Sequence, residues 1–180
     1  MHLANYITIS RIIFIFPVLY FISDQESASN WLALSLFIVA GITDQLDGYI
    51  ARKTGTSSSL GGLLDLIADK LLITITLVYL LSISNNHDLI FPSLIIIARE
   101  LVVSSLRQFL AENLGNNPIT VSFLAKTKTT MQITAMSLLI ISPNFGENFY
   151  LVTVILFWVA AFLSLQTLFS YIKSYKNLIK

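Results

Sequence analysis

The chain of 180 residues contains no cysteine, which excludes disulfides, thiolate-bound metals and cysteine nucleophiles. Histidine is nearly absent as well. His2 and His87 are the only two, and both stand far along the chain from the acidic motif described below, so zinc ligation and histidine catalysis are not expected. Charge is scarce: Asp, Glu, Lys and Arg make up 12% of the chain against 55% hydrophobic residues, and the mean hydropathy is +0.76. Such a composition does not describe a soluble domain. No internal repeat, low-complexity tract or long linker interrupts it, so a single domain is expected over residues 1–180.

What is present reads as an all-α integral membrane protein. A spanning helix needs roughly 20 mostly apolar residues, and six stretches qualify, at about 6–23, 30–52, 62–84, 89–112, 123–142 and 149–172. The first stretch has no basic region before it and no small-residue cleavage site after Tyr20, so it is expected to be retained as a helix. Three connectors, Asp24–Asn30, Asn85–Asp88 and Pro143–Asn148, carry acids but neither Lys nor Arg. By the positive-inside rule they face away from the cytoplasm, which makes both termini cytoplasmic. Trp31, Phe91, Phe149 and Tyr150 near those outer ends are expected to form an interfacial belt. Lys173, Lys176 and Lys180 are expected to anchor the last helix to anionic lipid.

Against this apolar background stand four carboxylates, Asp44, Asp47, Asp65 and Asp69. One charge at the centre of a bilayer costs about 2.5 to 3.5 kcal/mol on insertion scales, so four close together need a partner. Helical spacing places Asp44, Asp47, Gly48 and Ala51 along one face, and Gly61, Asp65 and Asp69 along another. Between them Lys53–Leu60 is polar and flexible enough to turn the chain and set the two stripes face to face. Oxygen-only ligands favour hard cations such as Mg²⁺ or Mn²⁺. Beside Arg52 and Lys70, such a site suits a phosphate or diphosphate substrate. The competing readings are a salt-bridge network with Arg52, Lys70, Arg99 and Arg107, or a proton relay of an ion-coupled transporter. Ion pairing has no need of the small residues at 48 and 61, and a relay needs charges spread through the bilayer, whereas these four lie near one side.

The pattern Asp44-x2-Asp47-Gly48-x2-Ala51-Arg52-x8-Gly61-x3-Asp65-x3-Asp69 resembles the signature of the CDP-alcohol phosphotransferases at all eight fixed positions. The remainder of the chain resembles the bacterial members that use CDP-diacylglycerol as donor and sn-glycerol 3-phosphate as acceptor. The resemblance is carried by Asn5–Arg11, Ala68–Lys70, Ile97–Glu100, Ser105–Arg107 and Ala125–Gln132. It implies six transmembrane helices, a homodimer in the bacterial cytoplasmic membrane with its active site facing the cytoplasm, and transfer of a phosphatidyl group with release of CMP. CDP-diacylglycerol, glycerol 3-phosphate and membrane lipid are the implied partners, and nucleic acid is not.

Roles for individual residues follow from the same resemblance. Asp44, Asp47 and Asp65, with Asp69, are implied ligands of two Mg²⁺ or Mn²⁺ ions. Asp69 is the implied general base. Asp47, Gly48, Ala51, Arg52 and Gly61 are implied to shape the CDP pocket, with the Arg52 fork on phosphate oxygens. The acceptor carries a phosphate of its own and needs a cationic site, for which Lys70, Arg99, Arg107, Lys126 and Lys128 are the candidates. Lys126 and Lys128 read equally as ordinary anchors at a helix start. Another acceptor, whether phosphatidylglycerol, serine or an inositol phosphate, stays open, although serine would not need such a cluster.

Overall fold

A computed structural model describes residues 3–54, 59–84, 87–114 and 123–178, with side chains described over 10–43, 67–68, 70–84, 87–109 and 127–173. These residues form six α-helices and no strand: α1 (Leu3–Asp24), α2 (Ser27–Thr54), α3 (Ser59–Ile83), α4 (Ile90–Leu114), α5 (Phe123–Ile141) and α6 (Glu147–Leu178). Two 3₁₀ turns, His87–Leu89 and Ser142–Asn144, precede α4 and α6. Each apolar stretch expected from the sequence coincides with one helix. The helices run further than hydropathy alone suggests, because polar ends such as Ser27–Ser29 and Lys53–Thr54 continue the helical hydrogen bonding beyond the apolar segment. The polar connector expected over 53–60 is correspondingly shorter, and its residues 55–58 lie outside the described residues.

Burial follows the helical period. On α1 the buried residues are Arg11, Ile15, Val18 and Ile22; on α2, Ala33, Phe37 and Ala40; on α3, Ala68, Leu72, Thr76 and Leu80. Spacings of three and four put each set on one face. The opposite faces are not polar, as they would be in a soluble bundle. They expose Phe16, Tyr20, Phe91, Phe162 and Phe169, each with more than 60% of its surface accessible. Helices apolar on their outer face and partly polar on their inner face suit a lipid surround. Among the described residues two stretches, His87–Phe109 and Glu147–Lys173, are long and apolar enough to cross a membrane. Together with the family identified below, these apolar helices mark a membrane protein.

The chain forms two compact units. The first comprises residues 1–85 and 136–150, the second 86–135 and 151–180. In the first, α1 packs along both α2 and α3, and α2 meets the turn at Ser142–Asn144. The corner between α1 and α2 is tight, since Gln25 takes φ of 54°, in the left-handed region that ends many helices, and Ser29 donates a hydrogen bond to Asp24. Asn30, 2% exposed, donates to Asn144 Oδ1 at 2.8 Å, and Asn144 donates to the Ser27 carbonyl at 3.2 Å. Phe145 stacks on Phe149 at 4.4 Å and meets Trp31 edge-on at 6.4 Å. These contacts staple the α5–α6 turn to the start of α2.

In the second unit, α4 and α6 run parallel, because advancing from Arg99 to Arg107 along α4 advances from Thr167 to Tyr171 along α6. The short connection from Leu114 to Phe123 makes α5 antiparallel to α4. The buried seam of α6 is Thr153, Phe157, Ala160, Ser164, Thr167 and Tyr171, an alternation of four and three that keeps one stripe inward.

Replacing the buried Asn30 by alanine removes the donor to the half-buried Asn144 amide oxygen. The expected loss is about 0.5–1.5 kcal/mol of stability, read as a lower unfolding midpoint in detergent; an unchanged midpoint would remove this staple from the account.

Candidate active site

The aspartate motif is carried by two helices of the first unit. Asp44, Asp47, Gly48, Ala51 and Arg52 fall in the last turns of α2, and Gly61, Asp65 and Asp69 in the first turns of α3. Continuous helix on both sides gives the one-turn spacings assumed from the sequence, three residues between positions 44 and 47 and four between 65 and 69. The side chains of all eight lie outside the described residues. As a donor set, four carboxylates on two successive helix ends supply oxygen only, which fits a hard divalent cation. Among the described side chains there is no group of three or more acidic or histidine residues that could hold a metal ion. Lys70, next to Asp69, is half-buried on α3.

The second unit brings three of the proposed acceptor cations together. Arg99 on α4 is 6% exposed and Lys128 on α5 is 4% exposed, and both meet Glu100. Arg99 Nη1 lies 3.2 Å from Glu100 Oε1, and Lys128 Nζ donates to the same oxygen. Arg99 Nη2 donates to Thr167 Oγ1 at 2.9 Å, and that hydroxyl donates in turn to the Ser164 carbonyl at 2.8 Å. Two turns further along α4, Arg107 is exposed; it donates to the Tyr171 hydroxyl and lies over the ring, 5.0 Å from its centre. Arg99 is 6.0 Å from the centre of the same ring, so one aromatic ring has two guanidinium groups against it. Lys126 falls in the first turn of α5, with its side chain outside the described residues.

This arrangement has a clear electrostatic sense. Two buried cations, Arg99 and Lys128, share the Glu100 carboxylate, and the exposed Arg107 stands by on Tyr171. Taking an ion out of water costs several kcal/mol even after relaxation, so buried cations need partners, and Glu100 is the described carboxylate that both of them meet. Glu100 keeps the two buried cations apart in fixed positions, and Thr167 and Tyr171 orient the two arginines.

Sequence reasoning offered Arg99, Arg107 and Lys128 as candidates but left Glu100 as a simple arginine partner and did not single out Thr167, Tyr171 or Gln132. Their signal is visible in retrospect: Ser164, Thr167 and Tyr171 recur at spacings of three and four within an otherwise apolar span, and Gln132 follows Lys128 by one turn. Arg11 was likewise left without a role. It is 1% exposed and shares the inward face of α1 with Ile15 and Val18, in the helix that packs against both aspartate-bearing helices.

Comparison with known proteins agrees with this chemistry. The family model for CDP-alcohol phosphatidyltransferase matches residues 1–166. A protein of Rickettsia bellii named CDP-diacylglycerol–glycerol-3-phosphate 3-phosphatidyltransferase is 42% identical over 178 residues, covering 98% of this chain and 96% of its own. The protein of the same name from Rickettsia felis is 43% identical with the same coverage, and that from Haemophilus influenzae is 34% identical over 173 residues, covering 96% and 92%. With helices, aspartate spacing and cation cluster in hand, this match over nearly the whole length shows that the chain belongs to the CDP-alcohol phosphatidyltransferase family.

Proposed function

We propose that the protein transfers the phosphatidyl group of CDP-diacylglycerol to sn-glycerol 3-phosphate, giving phosphatidylglycerophosphate and CMP. The observation that carries this reading is the near end-to-end similarity to relatives of that name. The buried Arg99–Glu100–Lys128 cluster, with Arg107 beside it, adds a physical reason, because an acceptor with a phosphate needs such a site and an uncharged alcohol does not.

In this mechanism Asp44, Asp47, Asp65 and Asp69 would hold two Mg²⁺ or Mn²⁺ ions, which would offset the charge of the donor diphosphate and of the departing CMP. Gly48, Ala51 and Gly61 leave room for the nucleotide, and Asp47 and Arg52 orient it. Arg99, Arg107 and Lys128, with Lys70 and Lys126, hold the acceptor phosphate. Asp69 takes the proton of the acceptor 1-hydroxyl. The freed oxygen attacks the phosphorus that bears diacylglycerol, a new P–O bond forms, and the bond to the bridging oxygen breaks, so that CMP departs with that oxygen. We place the protein in a bacterial cytoplasmic membrane as a homodimer of single-domain chains, with six spans, cytoplasmic termini and the active site facing the cytoplasm. The lysine-free and arginine-free connectors at 24–30, 85–88 and 143–148 support that orientation.

CMP release from CDP-diacylglycerol by purified protein with Mg²⁺ tests the reading, with glycerol 3-phosphate, serine, inositol phosphate and phosphatidylglycerol compared as acceptors. Release with glycerol 3-phosphate alone is expected, and release with a different acceptor overturns the assignment. Chelation by EDTA should abolish release and added Mg²⁺ or Mn²⁺ restore it; activity persisting in EDTA would remove the ions from the mechanism. Asp69→Asn should lower turnover by at least about 100-fold while donor binding is retained, whereas loss of donor binding would make Asp69 chiefly a ligand. Arg107→Ala should raise KM for glycerol 3-phosphate far more than KM for CDP-diacylglycerol. Equal effects on both would take Arg107 out of the acceptor site.

A further inference from the structure

Gln132 is 1% exposed, and neither its amide nitrogen nor its amide oxygen has a hydrogen-bond partner. In the same unit, the hydroxyl of Ser164, which is fully buried, and the Nε of Arg99 are also unpaired. Buried polar atoms are paired in folded proteins in the great majority of cases. Several orphans gathered around one cluster therefore indicate a ligand.

The register places them. Lys128 on α5 and Arg99 on α4 meet at Glu100, and Arg99 meets Thr167 on α6. One turn along α5 from Lys128 is Gln132; one turn back along α6 from Thr167 is Ser164. Because α5 is antiparallel to α4 and α6, both steps lead the same way, about 4.5 to 6 Å beyond the cation cluster at 1.5 Å per residue. At the same level on α4 stands the buried Ile96, and the turn beyond carries the buried Ala135 on α5, Ala160 on α6 and Ser93 on α4, the last with its hydroxyl also unpaired. Gln132 and Ser164 thus continue, one turn on, a polar column whose charged part is the cation cluster.

The chemistry of the orphans selects what they would bind. A phosphate oxygen only accepts hydrogen bonds, so it satisfies an amide N–H and leaves the amide oxygen unpaired. A hydroxyl both donates and accepts, and it satisfies both ends of a glutamine side chain or complements a serine. We infer that Gln132, with Ser164, is a specificity-determining residue that reads the hydroxyl adjacent to the acceptor's phosphate-bearing carbon while Arg99 and Lys128 hold the phosphate. This inference rests on the acceptor reading above and extends it: the site recognises a polyol phosphate, not a phosphate monoester in general.

The test compares two acceptors, glycerol 3-phosphate and 3-hydroxypropyl phosphate. The second keeps the attacking hydroxyl and the phosphate and lacks only the middle hydroxyl. Wild-type protein should prefer glycerol 3-phosphate in kcat/KM by on the order of 10- to 100-fold, because the shorter-functionalised analogue leaves the amide unpaired. Gln132→Leu should bring that ratio close to one by lowering kcat/KM for glycerol 3-phosphate and sparing that for 3-hydroxypropyl phosphate. Gln132→Met, closer in shape to the native side chain, serves the same purpose if the leucine variant does not accumulate. A purely structural glutamine would lower both acceptors equally and keep the ratio, which would overturn the inference, as would a wild-type ratio near one. If wild-type protein releases no CMP with glycerol 3-phosphate, the acceptor reading itself fails and this inference fails with it.

Discussion

The constraint on which the second unit turns is the burial of two cations, Arg99 and Lys128, with a single described carboxylate between them. In an apolar helical unit this is a costly placement, since a buried ion repays its desolvation only with good geometry and fully satisfied hydrogen bonds. The details around it follow from that demand. Glu100 accepts from both cations, Thr167 takes one arm of Arg99, and Tyr171 offers its face to Arg99 and its hydroxyl to Arg107. The inward stripe of α6 changes from Phe157 and Ala160 to Ser164, Thr167 and Tyr171 as it approaches this level.

The first unit has the complementary character. Its helices α2 and α3 carry four carboxylates at one-turn intervals, and α1 packs along both. Carboxylates suit the ions that bind a diphosphate, and cations suit a phosphate monoester. A phosphatidyl transfer between a CDP-linked lipid and glycerol 3-phosphate needs both kinds of site. The aspartate motif of the first unit is legible as spacing along the chain, and the cation cluster of the second as contacts between helices.

Much of this could be read from residue order. Six apolar stretches became six helices because uninterrupted apolar runs of this length have no other way to satisfy their backbone. The aspartate spacing is a local property of two helices and was readable for the same reason. What sequence alone could not give was contact between helices. Glu100 follows Arg99 directly and reads as its neighbour's counter-ion, yet its main partner across the bundle is Lys128, 28 residues away. Thr167 and Tyr171 are unremarkable in composition and gain their roles from facing α4. Helix ends were also under-read, since polar residues such as Lys53 and Thr54 stay helical where hydropathy stops. Gln132 stood inside a recognisable segment but showed its character only through its buried, unpaired amide.

The central claim is that the cluster of Arg99, Arg107 and Lys128 is a receptor for the phosphate of a small acceptor. Equilibrium binding of labelled glycerol 3-phosphate to the purified protein in lipid nanodiscs tests it most directly, with inorganic phosphate and glycerol as competitors. The account predicts saturable binding that inorganic phosphate displaces and glycerol does not. Binding displaced by glycerol but indifferent to phosphate would show that charge is not what holds the acceptor, and would contradict it.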